Sequence, residues 1–196
     1  MSNQGFIFQV ISGIAALSSL LVILTCFLFP SMIKSSIMMK LIFMISLCDF
    51  FSTLSYLIYG YPDANSYGCK IEGFLSFFFF PPSWVYTTFL CYQLRCIFID
   101  KGVWLSLNWI HLITWTITCI VTFLPLLFDT KYGEDDEYSD RSPCNIKGPY
   151  LNFFFDVWLG FSLVSIICMS YFSIQVIMYV KETNINKLHR MHNLYK

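Results

Sequence analysis

Charge is scarce in this 196-residue chain. Lys and Arg number 12, Asp and Glu 12, so charged side chains make up 12% of the residues and the net charge is zero. No basic block longer than a few residues occurs, so the chain lacks the electrostatic footprint of a nucleic-acid binder. Enzyme signatures are missing as well: there is no G-x-S-x-G, H-E-x-x-H, C-x-x-C or glycine-rich phosphate loop. Neither enzymatic activity nor a cofactor is expected. His111 has no second His, Cys or carboxylate at ligand spacing, and His189-x-x-His192 reads as part of a solvated basic tail, so a metal site is not expected either. Internal repeats are not visible, which counts against an inverted-repeat transporter. An N-x-S/T sequon is also absent, so glycosylation gives no clue to sidedness.

What is abundant is apolar surface. Hydrophobic residues reach 57%, aromatic residues 19%, and the mean hydropathy is +0.63. These residues gather into five runs, about 6–29, 41–61, 73–98, 103–128 and 150–180. Each meets or exceeds the roughly 20 residues that a helix needs to cross a hydrocarbon core about 30 Å thick. Five such runs leave no polar face with which a small soluble domain could meet water. The expected fold is therefore an all-α membrane protein with five transmembrane helices over residues 1–180, followed by a basic cytoplasmic tail, 181–196.

Loop charge predicts the orientation. Lys34, Lys40, Arg95, Lys101, Lys181, Lys187, Arg190 and Lys196 fall on one side, against Lys70, Lys131, Arg141 and Lys147 on the other. The richer side is cytoplasmic by the positive-inside rule, which puts the amino terminus outside. The other side carries the acidic connection with Glu134, Asp135, Asp136, Glu137 and Asp140, and Glu72 is read there too, in the second connection. No basic residue precedes the first run, and its apolar stretch is too long for a signal h-region, so it reads as a signal anchor. Of eight cysteines, Cys69 and Cys144 alone fall in outside connections, where oxidation is permitted. A disulfide between them is expected.

Polar residues inside membrane helices face other helices or water, so polar stripes mark inward faces. The second run has Ser46, Asp49, Ser52 or Thr53, and Tyr56 at helical spacing. The third has Ser83, Thr87, Cys91 and Arg95. The fourth has Asn108, His111, Trp115, Thr118, Thr122 and Pro125, and the fifth Asn152, Asp156 and Gly160. Asp49 is the ionisable group near mid-membrane and must be hydrated, paired or protonated. It fits an ion or proton site, and it fits equally well a protonated acid bonded to a neighbouring helix. Asp156 could meet a ligand cation or simply solvate a helix end. His111 is expected to hydrogen-bond within the fourth stripe. Pro81-Pro82 should kink or unwind the third helix, because two backbone donors are lost there. Beside Trp84, that break could shape a pocket or serve packing alone.

The chain resembles helices one to five of a G-protein-coupled receptor, in particular the cyclic-AMP-receptor-like group. The second helix reads ISLCDFFSTLSYLIYG, with its Asp after a serine-containing turn. The third begins CKIEGFLSFFF and continues PSWVYTTFLCYQL, and the fourth has Trp115 with Pro125 ten residues on. Cys144 matches the family's bridge partner to Cys69. The first helix has no Asn and the third no Asp-Arg-Tyr, so a rhodopsin-like assignment does not fit. Leu94-Arg95-Cys96 occupies that region instead. The resemblance covers about residues 6–185, so helices six and seven have no counterpart in this sequence.

The resemblance implies a plasma-membrane receptor that passes an extracellular signal to a heterotrimeric G protein. Trp84, Thr87, Asn152 and Asp156 would meet the extracellular ligand, and Arg95 with Lys101 would take part in coupling. Asp49, Ser46 and Ser52 would form an intramembrane polar group that switches with the bundle. Five helices would leave a polar groove facing lipid, which favours self-association or a partner chain. A small ion-coupled transporter or channel subunit, and a membrane scaffold, are the alternatives.

Overall fold

The structure is a computed structural model that describes residues 3–59, 66–100, 105–124, 127, 131–132, 146–147 and 151–194. Helix α1, Asn3–Leu28, ends just before Phe29. Pro30 then begins a six-residue helix, α2, Pro30–Ser35. Proline suits a first helical position because its missing N–H would be unpaired there in any case. Ser36 is extended, and α3 runs over Ile37–Tyr59. Helix α4, Tyr67–Arg95, is capped by Ser66, whose side chain accepts from the Cys69 backbone N–H at 3.1 Å. It passes into a π-helical turn, Cys96–Asp100. Helix α5 spans Leu107–Phe123, and α6 spans Leu151–Leu194, 44 residues that continue through most of the basic tail. Between them Lys131–Tyr132 (β1) pairs antiparallel with Ile146–Lys147 (β2).

Among the described residues, four stretches are long and apolar enough to cross a membrane: Gln9–Leu28, Ile37–Ser55, Tyr67–Ile99 and Leu159–Thr183. Helix α5, with 17 residues, falls short of that length. At 1.5 Å per residue it covers about 26 Å, slightly less than the hydrocarbon core. Each of the five apolar runs thus contains a helix, and the chain is a multi-pass helical membrane protein with four candidate spans among the described residues.

Burial reads inside out relative to a water-soluble protein. On α5 Thr114, Thr118 and Thr122 are fully buried, whereas Trp109 and Leu112 are more than half exposed. On α6 Ser162 and Ser165 are buried, whereas Val164, Ile167, Ile177 and Met178 face outward. Lipid is the solvent that makes this pattern favourable, since it accepts apolar side chains and cannot hydrogen-bond hydroxyls.

Helix α4 is the hub: it packs against α3, α5 and α6, while α1 packs against α3. Leu41, Cys48, Tyr86 and Ile110 form a buried cluster where α3, α4 and α5 meet. Phe78 lies 5.7 Å from Trp115, Phe74 lies 6.0 Å from Phe123, and Phe51 stacks on Phe79 at 5.1 Å.

One part of an expectation is corrected here: α4 does not unwind at Pro81-Pro82. Helix α4 continues without interruption through Pro81 and Pro82. Losing the Pro81 donor strips the Phe77 carbonyl of its helical partner, and the Thr122 hydroxyl supplies a replacement bond at 3.1 Å from α5.

Candidate functional site

The polar groups of the bundle converge on α4. Counting along it, Glu72, Ser76, Phe79, Ser83, Tyr86, Leu90 and Gln93 recur at alternating steps of four and three, the spacing of one helix face. Four of the seven, Glu72, Ser83, Tyr86 and Gln93, are buried. A row of polar side chains therefore runs nearly the length of the central helix.

At mid-helix, Ser83 Oγ donates to Asp49 Oδ1 at 2.6 Å. Asp49 thus faces α4 and holds a hydrogen bond across the seam. Thr53 Oγ1 donates to the Asp49 carbonyl at 2.7 Å, which ties off the neighbouring hydroxyl locally. Ser46 and Ser52 are buried on the same helix, and Ser52 Oγ has no hydrogen-bond partner among the described residues. One turn further along α4, the Tyr86 hydroxyl and His111 Nδ1 lie 2.7 Å apart, which gives His111 its partner on a helix other than its own.

The stripe Ser83, Thr87, Cys91 and Arg95 does not stay on one face. Each step of four overshoots a helical turn by about 40°, so three steps carry it about 120° around α4. Ser83 consequently meets α3, whereas Ser173 of α6 approaches Cys91 with its Oγ 3.9 Å from Sγ. Arg95 Nε donates to Gln175 Oε1 at 2.6 Å, and Gln175 Nε2 donates to the Tyr171 hydroxyl at 2.7 Å. This clasp joins the end of α4 to the middle of α6.

Of the residues expected to meet a ligand, Trp84 and Thr87 have side chains within the described residues. Thr87 Oγ1 bonds back to the Ser83 carbonyl at 2.8 Å, and Trp84 packs edge-on against Phe80. Asn152 and Asp156 fall in the first turns of α6, and their side chains lie outside the described residues. Lys101 and Cys144 also lie outside them, as does the side chain of Tyr56. Cys69 is buried, and Cys26, Cys48, Cys91, Cys96, Cys119 and Cys168 are free thiols.

Asn108, expected on the inward stripe of α5, is exposed, because that stripe is Ile110, Thr114, Thr118 and Thr122 at steps of four. Glu72, read as a loop residue, belongs to the second turn of α4 and is buried. The Ser66 cap starts the helix six residues before the apolar run does, so apolarity alone set the boundary too late. Gln93, Thr114 and Gln175 were missed for a related reason: each is a polar residue among hydrophobic ones that lies off the stripe chosen for its run. Gln93 donates from Nε2 to the Leu105 carbonyl at 3.3 Å, while its Oε1 is unpartnered among the described residues.

No protein-family model matches this chain, and no curated protein is similar to it. Among the described residues there is no group of three or more His, Cys, Asp or Glu side chains able to hold a metal ion.

Proposed function

We propose that this chain is a G-protein-coupled receptor of the cyclic-AMP-receptor-like kind, or the five-helix portion of one. The observation that carries the proposal is the polar row on α4, which runs from Glu72 near one end to Gln93 near the other, with the Arg95–Gln175 clasp beside it on the face that meets α6. A receptor needs a central helix whose polar contacts differ between two packings of the bundle, so that binding at one end biases contacts at the other. In this reading α5 also spans the membrane, the amino terminus is outside, and the protein resides in the plasma membrane. Cys69 and Cys144 are bridged, Arg95 and Lys101 border the G-protein surface, and Asp49 with Ser46 and Ser52 forms the switch. Ligand contacts from Trp84, Thr87, Asn152 and Asp156 remain part of the reading.

Nucleotide exchange is the test. Membranes holding the chain together with one Gα class at a time, plus Gβγ, should show GTP-analogue uptake above empty membranes, and Arg95→Ala should change it. Uptake at the level of empty membranes across all Gα classes would overturn the receptor reading.

A second reading, a small ion-coupled transporter or channel subunit, is favoured by one observation: the Asp49 carboxylate sits in the α3–α4 seam rather than at a helix end. Ion-driven flux that disappears in Asp49→Asn would select it.

A further inference from the structure

Glu72 is the buried acid that the receptor scheme leaves unused. It is 2% exposed, and its Oε2 has no hydrogen-bond partner among the described residues. One turn deeper on the same face, Ser76 Oγ is also buried and unpartnered. Residues four apart on a helix lie within about 6 Å of each other at Cβ, so one small group can reach both. Buried acceptors left without donors cost free energy, and a carboxylate costs the most. Something that donates hydrogen bonds and carries positive charge would remove that cost.

The chemistry selects among cations. A primary ammonium offers three N–H donors on a compact centre, enough for Glu72 Oε2 and Ser76 Oγ together. A bare metal ion would want more oxygen ligands than these two, and there is no metal-binding cluster among the described residues. Phe79 continues the face below Ser76 and is stacked on Phe51 of α3 at 5.1 Å, which gives an apolar floor. Counting outward from the Asp49–Ser83 bond along these antiparallel helices, Ser52 is about level with Phe79, and its Oγ is a further unpartnered atom.

We propose that Glu72 and Ser76 form a binding site for the primary ammonium group of an amphiphilic amine whose apolar body lies along Phe79 and Phe51. The site rests on the receptor reading for its signalling role, and on its own geometry for binding.

The test uses the full chain in lipid nanodiscs, with hexylammonium as probe, hexan-1-ol as the uncharged match and tetramethylammonium as a cation without N–H donors. Hexylammonium should raise the thermal unfolding midpoint, and hexan-1-ol at equal concentration should not. Glu72→Gln should weaken the apparent affinity roughly tenfold or more, the loss expected for a charged hydrogen bond. Ser76→Ala should weaken hexylammonium several-fold and leave tetramethylammonium unchanged. If Glu72→Gln does not fold, Glu72→Asp and Ser76→Ala carry the test, each with weakened binding expected. An equal response to hexan-1-ol, or hexylammonium affinity unchanged in these variants, overturns the site. Amine binding without G-protein nucleotide exchange overturns the receptor reading and leaves the site standing; exchange in a chain that does not bind the amine does the reverse.

Discussion

The Thr122 hydroxyl of α5 donates to the Phe77 carbonyl of α4, the group that Pro81 leaves without a helical donor. The bond joins a backbone defect in one helix to a side chain in the next, and it lies beside the Phe74–Phe123 contact. Sequence order separates the two residues by 45 positions, so the repair depends on tertiary packing.

Removing the hydroxyl should expose that dependence. Thr122→Val keeps the shape and removes the hydroxyl donor to the part-buried Phe77 carbonyl, at a cost of about 1–3 kcal/mol, while Thr122→Ser should be close to neutral. In a Pro81→Ala background the restored N–H serves Phe77, and Thr122→Val should cost less. A double-mutant cycle on unfolding in nanodiscs reads the coupling; additive effects would sink the account.

Asp49 and Ser83 make a second such cycle. Asp49→Asn retains an acceptor for the Ser83 hydroxyl and should change stability by less than about 1 kcal/mol, whereas Asp49→Leu strands that hydroxyl and should cost more. If the two substitutions proved equally destabilising, the bond would be unimportant to the seam.

The clasp at the far end of α4 predicts a local effect. Gln175→Leu removes the acceptor for Arg95 and the donor to Tyr171 together. Hydrogen exchange should rise in the backbone around residues 171–183, with the α3–α4 seam near Asp49 unaffected. Protection unchanged near Gln175 would mean that packing alone holds α6 there.

Topology is checked from both sides of intact cells. Added protease should cut the acidic segment 133–140 and spare the basic segment 181–196, following the unequal Lys and Arg distribution. The opposite cleavage pattern would invert the bundle. On the same cells, an impermeant maleimide should label neither Cys69 nor Cys144 until a reductant is added, if the two are joined.

The helical character of the apolar runs was legible because a run of apolar side chains is a strong, local signal, whereas the short α2 at Pro30 was not. The helix starts were less so: the Ser66 cap and the polar first turns of α4 lie outside the apolar run, which hid Glu72. Asp49 was readable as an interior acid because a charge in an apolar run has few places to go. Its partner was half readable, since Ser83 stood out as polar on the next helix but nothing in the sequence fixed the register between the two. The continuity of α4 across Pro81-Pro82 could not be read, because the compensating donor comes from α5. Arg95 stood out by charge, yet Gln175 did not, being a neutral residue in an apolar stretch.

Helix α6 has one more consequence. Its apolar stretch closes at Thr183, but the helix runs on to Leu194. From Gly160 to the last turn is about 50 Å at 1.5 Å per residue. A tilt of about 5° pivoting near Gly160 would sweep the far end through about 4 Å, on the same length scale. The Arg95–Gln175 clasp grips this rod about 22 Å from Gly160, so a shift of about 2 Å at the grip becomes a stroke of about 4 Å at the tip. In mechanical terms, a helix that continues beyond its apolar stretch can act as a lever whose free end lies past Thr183.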